Sequence, residues 1–395
     1  MLGNGFFTTF ISAYLHLEGH PSIVIGLIQG AYYAGFLVAA LKIEPLIQRI
    51  RHIRAFSFFA SILTAATLMQ GLFDEPWMWV VLRFIAGVCI ASLYVVIESW
   101  LLITTNIEKR GVVLGIYMIF LYASQAIAQF IMDYLELTDL TPYLVTGILC
   151  SLSILPVSFT RTVVPDLPKH QVKNMRALLK VSPFGFAGCF LSGIVLGSIY
   201  SFMPIYAQDK HLLISYVMSV TLIGGFLLQW PFGYLSDIFD RRKTLLLVIA
   251  FTALVSGGMI FAIETTWVVF VLLFLLGGAT FTIYPVSTTQ VCDRCQPHDI
   301  TKVTGVLLFV YSFGAVIGPL MTPLFLHYFE LSGLFIQIFI ASLFLLTIGT
   351  YSLIRYKGVP KDKQKSFMPI SGQTPLNYEL DPRKDNKGDA PHDKV

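Results

Sequence analysis

Twelve long runs of apolar residues, separated by short polar segments, follow one another along this chain. A helix needs roughly 20 mostly apolar residues to cross the hydrocarbon core of a bilayer, and most of these runs reach that length. Charged residues make up only 13% of the 395 residues, against about 25% in a typical soluble protein. The pattern therefore predicts an all-α polytopic membrane protein. Its twelve spans are expected at about 1–15, 22–41, 55–73, 77–103, 111–134, 142–160, 183–207, 212–235, 244–263, 267–291, 303–326 and 333–354.

The basic residues predict the orientation of these spans. If the N-terminus is cytoplasmic, all but two of the 27 Lys and Arg residues fall in cytoplasmic segments. The exceptions are Lys210, in an outer loop, and Arg83, within the fourth span. The positive-inside rule then places both termini in the cytoplasm. The first fifteen residues lack a basic segment and a small-residue cleavage site, so we do not expect a signal peptide.

The two halves of the sequence resemble each other at a spacing of about 190 residues. "AGFL" at 34–37 precedes "GGFL" at 224–227, and Gly87 precedes Gly277, at that spacing. Parallel halves around a midplane site are the architecture of many secondary transporters. We expect an N-terminal half, a cytoplasmic linker, a C-terminal half and a disordered cytoplasmic tail, at 1–160, 161–182, 183–354 and 355–395. Compared with the seventh span, the first lacks about ten residues, so we also expect a truncated first helix.

A charged loop, "GYLSDIFDRRKTLLL" from Gly233, separates the eighth and ninth spans. Its residues fit either a basic loop that only sets topology or a hinge whose charges pair differently in two conformations. The loop is similar to the signature G-x-L-[SA]-D-x-x-G-R-R-[KR] of the major facilitator superfamily. The first-half copy, "EPLIQRIRHIR", departs further from this signature. The runs "RFIAGVCIASLYVVIESWLL", "SGIVLGSIYSFMPIY" and "FTIYPV" resemble the YcaD-like group of bacterial transporters.

This resemblance implies an inner-membrane transporter that works by alternating access. It also implies a conformational latch, in which the loop aspartate caps a neighbouring helix and pairs with basic residues. We assign Gly233, Asp237, Arg241 and Arg242 to the latch. Glu98, near the cytoplasmic end of the fourth span, is assigned to it as a counter-ion of basic loop residues. The alternative role of Glu98 is a proton-coupling site.

Arg83 is the basic residue that lies inside a predicted span. It is about six residues from the outer end, hence roughly 9 Å deep at 1.5 Å per residue. A charge at that depth is costly and usually faces a partner or an aqueous cavity. Arg83 is therefore predicted to bind an anion or take part in proton coupling. The alternative is a structural arginine that extends towards the outer interface.

The resemblance implies that the first, fourth, seventh and tenth helices, flanked by the second, fifth, eighth and eleventh, line the substrate cavity. Their hydroxyl, amide and aromatic side chains suit a part-polar ligand, although such residues also join membrane helices. Besides Arg83, the cavity candidates are Gln29, Tyr32, Tyr94, Gln125, Tyr200, Gln229, Tyr284 and Tyr311. Small residues and one proline are predicted to allow close helix packing: Gly87, Gly314, Gly318 and Pro319.

The sequence thus predicts a proton-coupled secondary active transporter of a small organic solute. It is expected to be a monomer in the lipid bilayer, with no cofactor and no nucleic acid partner. The alternatives are a receptor on a transporter scaffold and a multidrug effluxer, and symport and antiport both stay open. The G-P-x-x-G-G element typical of drug–proton antiporters is missing from the fifth span of this chain, which weakens the effluxer alternative. No phosphate-binding loop occurs, so we do not expect ATP-driven transport. We expect no enzyme, because no nucleophile–base set occurs, and no metal site, because "CDRC" at 292–295 has no second cluster.

Overall fold

The computed structural model describes residues 1–105, 109–159, 182–261, 265–295 and 300–355, together with Gln364 and Phe367. The predicted linker, except for Ser182, lies outside these residues, and so does most of the predicted tail.

Twelve long helices make up most of the described chain, and we number them in chain order. They are α1 Leu2–Leu17, α2 Ser22–Lys42, α3 His52–Gln70, α4 Pro76–Thr104, α5 Arg110–Gln129, α6 Thr141–Leu152, α7 Pro183–Asp209, α8 Ile214–Ile238, α9 Arg241–Phe261, α10 Thr266–Cys292, α11 Ile300–Phe329 and α12 Gly333–Arg355. Two short helices, Glu44–Ile50 and Ile154–Ser158, precede α3 and follow α6. Short 3₁₀ turns follow α5 and α11.

Most of the long helices are apolar enough to cross a membrane. In the part of the chain that the structure describes, ten helical stretches meet the length and hydropathy required, and one of them, Val303–Arg355, contains most of α11 and all of α12. The helix α1 has 16 residues and is not among those stretches. The prediction of an all-α polytopic membrane protein is confirmed.

Close helix crossings repeat in the two halves. A Cβ atom added at Gly87 of α4 would collide with the carbonyl oxygen of Tyr32 in α2. A Cβ atom at Gly277 of α10 would collide in the same way with the carbonyl oxygen of Thr221 in α8. Helices without a hydrophobic driving force between them approach closely where small residues let the backbones meet. The sequence repeat therefore corresponds to a repeated packing contact.

The predicted packing residues of α11 lie at two further crossings. Cβ atoms at Gly314 and Gly318 would collide with carbonyl oxygens of α7, those of Phe190 and Ile194. A Cβ atom at Gly26 of α2 would collide with the carbonyl oxygen of Pro319. The first two contacts lie within the C-terminal half, and the third joins the two halves.

Among the described residues, the helix pairs that join the halves include α2 with α11, α5 with α8 and α1 with α7. In the second pair, the Ser219 hydroxyl donates to the Ala126 carbonyl oxygen at 2.9 Å, and the rings of Phe130 and Tyr216 meet edge to face at 5.7 Å. The chain alternates in direction, so α1 and α7 end at one face of the bundle and α8 and α12 end at the other. We call these faces the His16 end and the Asp237 end.

Arg51 adopts a backbone conformation that favours glycine, with φ 70° and ψ 155°. This position is the second glycine of the signature loop in its first-half copy. A non-glycine residue in this region costs about 1–3 kcal/mol. A glycine, which the signature has at this position, would adopt this conformation without that cost.

Candidate functional site

Arg83 lies at the centre of a buried polar cluster formed by α1, α2 and α4. Its side chain has no exposed surface, and its guanidinium donates to Oε1 of Gln29 at 2.8 Å. The Gln29 amide in turn donates to the Thr8 carbonyl oxygen at 3.0 Å and to the Ser12 hydroxyl at 2.7 Å. The sequence-predicted residues Arg83 and Gln29 are therefore in direct contact. Ser12 was not predicted, since a serine in an apolar helix carries no specific signal.

The guanidinium of Arg83 contacts the aromatic face of Tyr32 and the side-chain amide of Gln29. Its guanidinium carbon is 4.3 Å from the ring centroid of Tyr32, within the range of a cation–π interaction. The Tyr32 hydroxyl donates to Oδ1 of Asn4 at 3.3 Å. Within the described residues, no carboxylate lies within ion-pair distance of Arg83, and Nε is buried without a hydrogen-bond partner. A buried cation of this kind is costly, so the site favours an anionic group nearby.

A second cluster joins the two halves, and we call it the central cluster. The Tyr200 hydroxyl of α7 donates to Oε1 of Gln125 in α5 at 3.0 Å. The ring of Tyr122, also in α5, packs against Phe226 of α8 and Phe281 of α10 at 5.7 and 5.8 Å. Both halves therefore contribute polar and aromatic groups to one buried region. In a chain with 32 Phe and 18 Tyr, sequence alone did not single out these three rings.

The other cavity candidates are buried around these two clusters. Tyr284 and Tyr311 pack with their ring centroids 4.9 Å apart, and they belong to the C-terminal half. Gln229 donates to the Phe281 carbonyl oxygen at 3.5 Å, beside the central cluster. Tyr94 belongs to the N-terminal half, where Asn4 and Tyr94 are among the residues that line a cavity of about 70 Å³.

A contact that sequence reasoning missed joins α1 and α7 at the His16 end. Nε2 of His16 in α1 lies 2.7 Å from Oδ1 of Asp209 in α7. One turn deeper, the Gln208 amide donates to the Ala13 carbonyl oxygen at 3.2 Å. We call these two contacts the clasp. They join residues more than 190 positions apart, and no local pattern marks such a pair.

At the Asp237 end, the predicted latch residues form ion pairs. Arg241 pairs with Asp237 at 3.0 Å and with Asp293, at the end of α10, at 3.1 Å. Arg242 forms a two-pronged pair with Asp240, at 3.2 and 2.7 Å. Partial burial disfavours the Asp240 carboxylate, but the hydrogen bonds from the side chain and backbone of Arg242 outweigh it and lower the pKa of this carboxyl. The substitution of Asp240 for the signature glycine thus gives Arg242 a partner of its own.

Two further contacts concern predicted latch residues. Gly233 lies beneath the ring of Phe367, a tail residue whose backbone N–H donates to both carboxylate oxygens of Asp237, at 2.8 and 3.0 Å. Glu98 is fully buried in α4 and accepts a hydrogen bond from the Tyr117 hydroxyl at 3.1 Å. Cys292 and Cys295 of the "CDRC" segment are described, whereas His298, the third potential zinc ligand close to them in the sequence, lies outside the described residues. Within those residues no cluster of metal-ligating side chains occurs.

Comparisons with known proteins point to one family. The sequence model described as Major Facilitator Superfamily matches residues 1–213 and 210–377. The MFS-type transporter YcaD of Escherichia coli (strain SE11) is 32% identical over 337 residues, which are 84% of this chain and 87% of that protein. YcaD of Shigella sonnei (strain Ss046) matches to the same extent.

Two kinds of solved structure share the fold. A mutant form of the nucleoside transporter NupG has a TM-score of 0.73 at 13% identity, over 89% of this chain and 96% of that one. A bacterial homologue of the human lysosomal transporter Spinster, inward-facing and occupied, has a TM-score of 0.67 at 15% identity, over 92% of this chain and 97% of that one.

Proposed function

The chain belongs to the Major Facilitator Superfamily, and from this premise we propose that it is a secondary active transporter which moves a small organic solute by alternating access. The observation that carries the proposal is the central cluster, where Tyr200 of one half meets Gln125 of the other at 3.0 Å. A site built from both halves changes its access when the halves rock against each other.

Closure at the His16 end supports alternating access. The clasp joins α1 and α7 across the two halves, and both of its contacts have to break before this end opens. They are few and partly exposed, and a surface ion pair contributes about 0–1 kcal/mol. Such a closure is weak enough to open reversibly.

We propose the Arg83 cluster as the polar wall of the substrate site. Its cation has an amide and an aromatic face around it, which leaves it able to attract a negatively charged or strongly polar group of the solute. The rings of the central cluster offer apolar surface for the rest of the solute. A solute with one polar or anionic end and one apolar end fits this combination.

We further propose that transport is coupled to protons. Coupling requires a group inside the protein that can take up and release a proton as its surroundings change. The carboxyl group of Glu98 is fully buried in α4 and bonded to Tyr117 of α5. The two roles assigned to Glu98, latch counter-ion and coupling site, are compatible. A proton that binds to Glu98 neutralises its charge and so weakens its pairing with the basic residues of the latch.

A ligand screen on the purified protein tests the proposal. Thermal unfolding is measured with sugars, amino acids, organic acids, nucleosides and lipophilic cations. A ligand at 100 times its dissociation constant stabilises the folded state by about 2.7 kcal/mol. We expect Gln125→Ala to lower the affinity for any ligand found in this screen at least tenfold. Thr350→Ala, at an exposed position in α12, is expected to leave that affinity unchanged.

Uptake of that ligand into proteoliposomes then separates the transporter from a receptor. Accumulation that follows an imposed pH gradient supports proton-coupled transport. Binding without accumulation in either direction of the gradient contradicts it and favours a receptor on the same scaffold.

A further inference from the structure

We propose that the Asp237 end of α8 is a docking site for the chain's own C-terminal segment around Phe367, and that the docked segment acts as a brake on the latch. The docking stands on the contacts alone, whereas the brake rests on the proposed alternating access. The docking and the brake both concern the tail, which the sequence predicts to be disordered.

The docked residue makes a polar and an apolar contact at once. The Phe367 backbone N–H lies 2.8 and 3.0 Å from the two oxygens of the Asp237 carboxylate. Hydrogen bonds to a charged acceptor are stronger than those between neutral groups. The ring of Phe367 packs on Gly233, one turn earlier on the same face of α8, and is itself partly buried against the hydrophobic core. A second tail residue, Gln364, lines a small cavity with Arg242 and Asp293.

The tail docks on Asp237, which belongs to a chain of ion pairs that connects three helices. Asp237 in α8 pairs with Arg241 in α9, and Arg241 pairs with Asp293 at the end of α10. The side chains of Arg241 and Asp293 are each 3% exposed, so this chain of charges lies in a poorly solvated niche. The tail therefore binds the exposed end of a buried ion-pair network.

A bound tail blocks the alternative partner that the family resemblance implies for Asp237. There the loop aspartate caps the N-terminus of a neighbouring helix in one of the two states. A helix end that approaches Asp237 has to displace the Phe367 N–H from the carboxylate and its ring from Gly233. Release of the tail is thus a step in the exchange between states, and a bound tail shifts the populations towards the state in which Phe367 contacts Asp237.

The absence of a side chain at position 233 makes room for the ring. The three atoms nearest to a Cβ atom placed at Gly233 all belong to the ring of Phe367. Among the described residues, alanine at this position therefore conflicts first with the ring of Phe367. Since alanine is favoured over glycine in a helix, Gly233→Ala leaves α8 intact.

Hydrogen exchange in the full-length protein tests the docking. We follow the peptide that contains Phe367. Because the Phe367 amide donates to Asp237, we expect its hydrogen to exchange at least tenfold more slowly than in a free chain. Phe367→Ala and Gly233→Ala are each expected to remove this protection. Tyr378→Ala, an aromatic substitution further along the tail, is the control and is expected to keep it. Fast exchange at Phe367 in the unmodified protein overturns the docking.

The brake is tested by the distance between spin labels on Arg54→Cys and Lys243→Cys, two exposed positions of opposite halves at the Asp237 end. We expect Phe367→Ala and Gly233→Ala to change the ratio of the two distance populations at least twofold. Protection that is lost without any change in this ratio overturns the brake. A single invariant distance in the unmodified protein contradicts alternating access itself, and the exchange result still decides the docking.

Discussion

Gly87→Ala is expected to destabilise the N-terminal half by about 3 kcal/mol, the upper part of the usual range for overpacking. The added Cβ atom would overlap the carbonyl oxygen of Tyr32 and lie 2.9 Å from its carbonyl carbon. These are backbone atoms of a packed helix, and they cannot rotate away as a side chain can. The gain in helix propensity, about 1 kcal/mol, is too small to offset the overlap. Thermal unfolding of the purified protein in detergent measures the effect.

Gly115→Ala is the matched control, since it also lies within a long helix, α5, but its added Cβ atom would have no neighbouring atom within 4 Å. We expect this variant to be as stable as the unmodified protein or slightly more so. Equal unfolding temperatures for the two variants would show that the crossing of α2 and α4 does not depend on close approach at Gly87.

Arg83→Met is expected to abolish ligand binding while leaving folding stability unchanged or increased. The guanidinium is fully buried, and in the described part of the chain it has no carboxylate partner. Replacing a buried charge by an apolar side chain of similar volume is often neutral or stabilising. We expect the affinity for the ligand found in the screen to fall at least 100-fold.

Arg83→Lys separates charge from geometry. Lysine keeps the positive charge but lacks the planar group that lies over Tyr32 and reaches Gln29. An intermediate affinity is expected. A strong loss of stability in Arg83→Met, with ligand binding retained, would assign Arg83 a structural role.

Most of the fold could be predicted from the sequence, because each span carries its own signal. Apolar length predicts a spanning helix. The orientation that the basic residues between the spans predict stays a prediction. The 190-residue repeat predicted two halves, since Gly87 and Gly277 face the same kind of contact in each. The pair formed by Arg83 and Gln29 could be anticipated as two polar residues in apolar helices, although their direct contact could not.

The missed features are contacts between distant residues. His16 and Asp209 each read as an ordinary residue at the end of a span, and only the packing of α1 against α7 brings them together. Asp293 looked like part of a cytoplasmic loop, yet it is the buried partner of Arg241. The tail has the composition of a disordered segment, so composition could not reveal that Phe367 contacts Gly233.

The measurement that tests alternating access most directly is a pair of distances in the same protein, one at each end of the bundle. Spin labels at Leu17→Cys and Leu213→Cys, positions 53% and 56% exposed, report on the His16 end. The pair Arg54→Cys and Lys243→Cys reports on the Asp237 end, and Cys295→Ser removes the native cysteine that is not fully buried. Asp209→Asn, which removes the charge from the clasp, is measured alongside.

We predict two distance populations at each end. In one state the labels at the His16 end are close together and those at the Asp237 end are far apart, and in the other state the distances are reversed. Asp209→Asn shifts both distributions towards the state that is open at the His16 end. A single distance at each end that neither Asp209→Asn nor a bound ligand changes, or two distances that lengthen together, would contradict a transporter that works by alternating access.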